Sequence, residues 1–257
     1  MAAGPRRAAI VGGNRTPFAR AGRRYAAASS QDLLTAALDG LVARFSLQGE
    51  RLGEVAAGAV LRHSRDLNLT REAVLGTALD PATPTYDVSQ ACATGLEAAV
   101  LVANKIALGQ VESGVAGGAD SASDAPMALD DDLRGVLLGV RAARTPRARL
   151  AALAGLRPGQ LRPQVPRNAE ARTGLSMGEH AAITAARWGL TRAAQDELAA
   201  ASHHHLAAAY DRGFFDDLIT PTSGSCATTP CARTRAPRRS RGWRRSFAPP
   251  GSRPRRR

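Results

Sequence analysis

The residues best suited to chemistry sit in one short stretch, Gln90-Ala91-Cys92-Ala93-Thr94-Gly95, between a strand-like segment at 86–89 and a helix-like run at 96–108. A cysteine that ends a buried strand and opens a helix faces unpaired backbone N–H groups and the positive end of the helix dipole, and both favour a thiolate. Cys92 is therefore a candidate nucleophile. The competing reading is a small buried hydrophobe, the ordinary state of a single cysteine, and position alone leaves both open. The remaining metal-binding residue types group poorly. His203, His204 and His205 are consecutive, and on a helix they point about 100° apart, so they cannot converge on one ion. Cys226 and Cys231 have the spacing of half a metal site with no second pair.

The elements that would position Cys92 follow from periodicity. A β-prone run at 8–11 is closed by Gly12-Gly13, and Arg15-Thr16-Pro17-Phe18 reads as a loop. Leu33, Leu34, Ala37, Leu38, Leu41 and Val42 recur at helical spacing and predict a helix over 32–47, with Ser30 as its cap. Strands are expected at 55–61, 85–89 and 115–118, and helices at 70–79 and 92–108. Strands alternating with helices imply βαβ units and a mainly parallel sheet covered on both faces. Cys92 then falls at the carboxyl end of a strand, where open α/β sheets place their ligands.

From 133 to 169 the character changes, with eight arginines and no acid among scattered leucines. Pro146 splits this stretch into two short helices, and Pro158, Pro163 and Pro166 make the remainder extended. Such a hairpin is either a solvated basic cover or, over 133–157, a peripheral contact with an anionic membrane or partner. Helices are also expected at 181–188 and 192–210, the second capped by Thr191.

A chain of 257 residues, 44% hydrophobic, can bury a sizeable core. Its net charge of +13 would suggest nucleic acid, but eleven arginines and no acid lie in 223–257, leaving 24 basic against 22 acidic groups elsewhere. Nucleic-acid binding by the folded part is accordingly not expected. Three cysteines, two of them in that tail, form no disulfide framework. The opening residues lack a secretory core and no run is long enough to span a membrane, so the reading is a soluble, cytoplasmic protein.

Several ordered motifs together resemble the thiolase family of acyl-CoA C-acyltransferases, and most of all the β-subunit type of fatty-acid oxidation complexes. They are AAIVGGNRTPFAR at 8–20, NLTREAVLG at 68–76, SQACATGLEAA around Cys92, SGVAGGADSASDAP at 113–126, GLSMGEHAA at 174–182 and GLTRAAQDELAAASHHHLAAAYDRG at 189–213. The resemblance runs from about Arg7 to Pro221 and stops there. It implies an α/β fold with a βαβαβ layer at 1–125, one of whose helices packs on a second, similar domain, then a loop and helical insertion at 126–221. A C-terminal thiolase domain is expected to be missing, and the composition of 222–257 predicts a disordered Arg/Pro-rich tail. The resemblance also implies Cys92 as the catalytic nucleophile of thiolysis of 3-ketoacyl-CoA in β-oxidation, or of the reverse condensation. The resemblance further implies coenzyme A as a co-substrate with no bound cofactor, an acyl-CoA substrate and, as in intact family members, self-association and pairing with a hydratase/dehydrogenase subunit. Met177 and Gly178 match the family's methionine-glycine segment and would line the acyl pocket, or Met177 is simply core. Gly117, Gly118 and Ser121 match the GGADS turn and read as backbone packing near the site.

The family's remaining catalytic groups, the histidine of a GHP motif, the cysteine of a CxG motif and the asparagine of an NEAF-type segment, have no counterpart here. His63, His180 and His203 to His205 match none of them. A chain without them is expected to be inactive. The tail suggests why: Gly224 to Ser240, back-translated with chosen GC-rich codons and read two nucleotides later, can give VVRDDPLRADTS, which resembles the thiolase continuation. A frameshift near Thr222 is the expectation. The alternative is a noncatalytic acyl-CoA or partner-binding module with a basic nucleic-acid arm; condensation in lipid synthesis ranks below both.

Overall fold

Alternation along one strand sets the centre of the fold. In the computed structural model, which describes residues 6–165 and 168–222, the four residues of β1 (Glu54–Ala57) are all buried. Val55, Ala57 and the following Ala59 pack into one apolar cluster and Ala56 into another, as a two-residue period requires. β1 is flanked by β2 (Thr85–Asp87) and β3 (Gly114–Ala116) in a three-stranded, all-parallel sheet of order β2-β1-β3.

On one face lie α1 (Ser30–Phe45) and α2 (Leu69–Leu75), contributing Leu34, Leu38 and Val42, and Leu69, Ala73 and Val74. On the other, α3 (Thr94–Ala107) contributes Ala98 and Val102. Each fully buried Leu or Val stabilises by roughly 1.5–3 kcal/mol, so these stripes decide which face each helix turns inward. The expected three-layer α/β arrangement is present.

The expected cap of α1 is displaced by one residue. Ser29 caps the helix, accepting the Asp32 N–H at 3.1 Å while the Asp32 carboxylate accepts the Ser29 N–H at 2.9 Å. Ser30 is instead buried, and its hydroxyl accepts the N–H of Ser121 at 3.1 Å. α2 ends at Leu75 instead of 79. Its first amides, Leu69 and Thr70, are accepted by Asp87 at the end of β2, at 3.1 and 2.8 Å.

The strand expected at 8–11 does not form. Ile10 and Val11 are 95% and 85% exposed, because β-propensity without a neighbouring edge makes no ladder and no described strand lies beside them. The N-terminal segment makes a β-bridge only later, where Arg15 pairs with Ile219 through Arg15 N–H to the Leu218 carbonyl (3.0 Å) and Thr220 N–H to the Arg15 carbonyl (2.9 Å). Arg44 of α1 holds both segments, donating to the Gly13 and Asp217 carbonyls and pairing with the Asp217 carboxylate at 2.6 Å.

The Arg/Leu-rich stretch folds as α4 (Asp131–Ala142) and α5 (Pro146–Leu153), packed together as a hairpin with Pro146 opening the second helix. Residues 158–161 form a 3-10 turn where extended chain was expected. Reciprocal 2.8 Å bonds between Ala128 and Gln164 close the base. α6 (Met177–Arg187) and α7 (Arg192–Asp211) follow, α7 capped by Thr191 as expected. Among the described residues no helix is long and apolar enough to cross a membrane. The tail at 223–257, with Cys226, Cys231 and the expected frameshift, lies outside the described residues.

Candidate active site

The three strands stay stitched together beyond their ends, and this platform carries Cys92. Val88 N–H donates to the Ala57 carbonyl at 2.8 Å, Gly117 N–H to that of Ala56 at 3.0 Å, and Ala119 N–H to that of Gly58 at 3.1 Å. Such close approach needs glycine. A Cβ at Gly58 would overlap the Val88 carbonyl oxygen, and one at Gly118 the Gly58 carbonyl oxygen. Asp120 then accepts the N–H groups of Val60 (2.9 Å) and Leu61 (2.6 Å), fixing the loop that leaves β1. Ser121 is buried, donates to the Ala28 carbonyl at 2.7 Å and takes its own N–H to Ser30. The GGADS turn thus ties β1, β3 and the start of α1 into one body.

From β2 the chain enters a tight reversal. Ala93 N–H donates to the Gln90 carbonyl at 2.9 Å and Thr94 N–H to that of Ala91 at 3.2 Å. Between them Ala91 has φ +45°, one of two non-glycine residues with positive φ among those described. For an L-residue the left-handed region costs about 1–2 kcal/mol, so the surroundings must enforce it. The reversal leaves Cys92 exposed, two residues before α3 begins and not inside it as expected. The helix starts at Thr94 with Ala93 as its N-cap, and alanine offers no side-chain oxygen to the first amides. An uncapped helix end favours negative charge beside it. The buried-hydrophobe reading of Cys92 does not describe this geometry.

Met177 and Gly178 are not in a loop. They form the first turn of α6, which begins four residues before the expected start because Ser176 and Glu179 build a reciprocal capping box, Ser176 N–H to Glu179 at 2.8 Å and Glu179 N–H to Ser176 at 3.3 Å. Ahead of it the Thr173 hydroxyl donates to Glu170 at 2.9 Å, holding that carboxyl below the usual glutamate value. Met177 is 73% exposed, so it is not core. Among the described residues α6 shares no packed interface with α3 or the sheet, so the structure does not join this pair to Cys92.

His63, given no catalytic role, is bound through Nε2 to the Asp124 carbonyl oxygen at 2.9 Å. His203 to His205 lie exposed along α7. What sequence reasoning missed is the support of the Cys92 turn by Gly58 and Thr94, and the carboxylates of Asp87 and Asp120 that pin the start of α2 and the loop after β1. A glycine directly after a buried strand and a threonine at a helix start were the available signals.

The family model for the thiolase N-terminal domain matches residues 8–230, nine residues past the point where the motifs stop. A 3-ketoacyl-CoA thiolase of Pectobacterium carotovorum subsp. carotovorum (strain PC1) is 40% identical over 213 residues, 83% of this chain and 49% of that relative. One of Salmonella paratyphi A is 40% identical over 216 residues, covering 84% and 50%. The chain spans about half the length of the curated relatives it matches. The crystal structure of the Bacillus anthracis acetyl-CoA acetyltransferase superposes with a TM-score of 0.69 at 24% identity, over 84% of this chain and 50% of that one, which shows the shared fold.

Proposed function

The chain belongs to the thiolase family through its N-terminal domain, and from that premise we propose that it carries the nucleophilic half of a 3-ketoacyl-CoA thiolase. The Cys92 thiolate attacks the C3 carbonyl of a 3-ketoacyl-CoA. Collapse of the adduct breaks the C2–C3 bond, the two-carbon fragment takes a proton and leaves as acetyl-CoA, and the shortened acyl group stays on sulfur. The thiol of coenzyme A, giving up its proton, then attacks this thioester, releasing acyl-CoA and the free cysteine. One hard carbon–carbon cleavage becomes two easier acyl transfers. The reverse sequence is a condensation, and the cleavage direction places the reaction in fatty-acid β-oxidation.

One observation carries this reading: Cys92 is exposed on a bent turn beside an uncapped helix end, at the carboxyl edge of the sheet. Acid–base groups and oxyanion donors are also needed, and loss of one such donor alone costs roughly a hundred- to a thousandfold. None of the family motifs that supply them occurs in the 257 residues, so we expect the chain by itself to acylate poorly and not to turn over. Met177 and Gly178 as acyl-pocket residues, self-association and pairing with a hydratase/dehydrogenase subunit belong to the same proposal.

The test is alkylation and turnover on the purified chain. Iodoacetamide should modify Cys92 faster than N-acetylcysteine, followed on the Cys92 peptide by mass spectrometry, while coenzyme A causes no loss of 3-ketoacyl-CoA. A Cys92 no more reactive than the model thiol would remove the nucleophile. Coenzyme A-dependent consumption of 3-ketoacyl-CoA would show that the missing groups are not needed.

A further inference from the structure

Cys92 is presented by a backbone bend that its own residues do not favour, and one buried side chain holds both arms of it. The Thr94 hydroxyl accepts the Gln90 N–H at 2.9 Å and donates to the Ala91 carbonyl at 2.8 Å, so a single oxygen ties together the residues that precede Cys92. Between those two bonds lies the left-handed Ala91. Thr94 is itself buried, and its methyl group packs over Gly58, where a Cβ would come within 2.9 Å of it. The rotamer is therefore set by the β1 exit, and the hydroxyl is aimed by packing and not by chance. Ala91 retains a second partner in the Thr94 N–H at 3.2 Å. The Gln90 N–H gains no such alternative from the turn.

We propose that Thr94 is a positioning residue for the nucleophile: its hydroxyl holds Ala91 in the left-handed bend and so fixes the Cys92 sulfur at the mouth of α3. This rests on the reading of Cys92 as the thiolase nucleophile, and it adds the group that sets where the sulfur stands. Removing the hydroxyl at constant shape leaves an alanine free to return to negative φ, which swings Cys92 away from the helix end. A serine keeps the oxygen and restores the clamp. A glycine at 91 adopts the bend without help, so the clamp becomes dispensable.

The experiment uses the full chain and the rate of Cys92 alkylation by iodoacetamide, read on the Cys92 peptide so that Cys226 and Cys231 do not contribute. Thr94→Val should slow the reaction about tenfold, Thr94→Ser should stay within about twofold of the parent, and Thr94→Val in an Ala91→Gly background should lose less than about threefold, since a tenfold change needs only about 1.4 kcal/mol. Circular dichroism and melting of each variant separate loss of fold from loss of positioning. A folded Thr94→Val chain as reactive as the parent overturns the inference and leaves the nucleophile standing, provided the parent outpaces N-acetylcysteine. A parent no faster than N-acetylcysteine overturns the nucleophile and the clamp together. Where Thr94→Val alone does not fold, the Ala91→Gly, Thr94→Val pair decides: it must recover both fold and reactivity, and a folded pair that stays slow overturns the proposal.

Discussion

A methyl group added at Gly58 would land on the Val88 carbonyl oxygen, whereas one added at Gly117, in the neighbouring strand exit, would meet open space. Two glycines close to the same site therefore differ in kind, and substitution separates them. Gly58→Ala should lower the melting temperature by roughly 4–8 °C, from about 2 kcal/mol of forced backbone displacement, while Gly117→Ala should change it little. Equal melting temperatures for the two variants would show that the strand exits are not packed as closely as described. The same added methyl would press on the Thr94 methyl, 2.9 Å from it, so reactivity at Cys92 should also fall in Gly58→Ala.

At the scale of elements, the α4–α5 hairpin stands apart from the layered core. Leu133 is the one buried side chain of its two helices, while Leu137, Leu138, Leu150 and Leu153 are exposed beside the exposed Arg141, Arg144, Arg147 and Arg149. Leucine and arginine presented together suit an anionic surface, each basic residue near it being worth about 1 kcal/mol. The chain is therefore expected to co-sediment with phosphatidylglycerol vesicles in low salt, and Arg144→Glu with Arg147→Glu should abolish this. Equal sedimentation with phosphatidylcholine vesicles would remove the contact from consideration and leave a solvated cover. α6 offers a different lesson. Its capping box, Ser176 and Glu179 three residues apart, was written in the sequence and predicts the start at Met177 better than apolar periodicity did.

For the whole molecule, the sole lysine has a defined task. Lys105 of α3 pairs with Glu54 of β1, whose side chain is 4% exposed, and its ammonium lies 4.7 Å from the Tyr86 ring centroid on β2. The hydrogen bond to Glu54 raises the Lys105 pKa, and burial, helped by the Glu54 charge, raises that of Tyr86. Both groups hold their protons more tightly folded than unfolded. The stability they contribute is complete below about pH 10 and is lost as pH rises through the folded values. Urea midpoints should therefore fall steeply above about pH 10. Lys105→Met should lose about 2 kcal/mol at pH 7 by stranding the Glu54 charge, a figure reduced from that of a fully buried pair because Lys105 is partly exposed. The same variant should flatten the alkaline fall, and an unchanged alkaline slope would exclude this pair as its source.

The α/β class, the parallel sheet, its covering helices and the family were legible in the order of the amino acids, because apolar periods of two and of about 3.6 and the ordered motifs are local. That order also placed Cys92 at a strand-to-helix junction. The tertiary structure alone decided which of these features has a partner. Among the described residues the β-prone 8–11 run has no adjacent strand edge and forms no ladder, and no element packs closely on α6, so Met177 stays exposed. Ala91 bends backwards because Thr94 and Gly58, distant in sequence from each other, meet beneath it. Local pattern records what a residue prefers; only contacts across the chain can hold it where it would not otherwise stay.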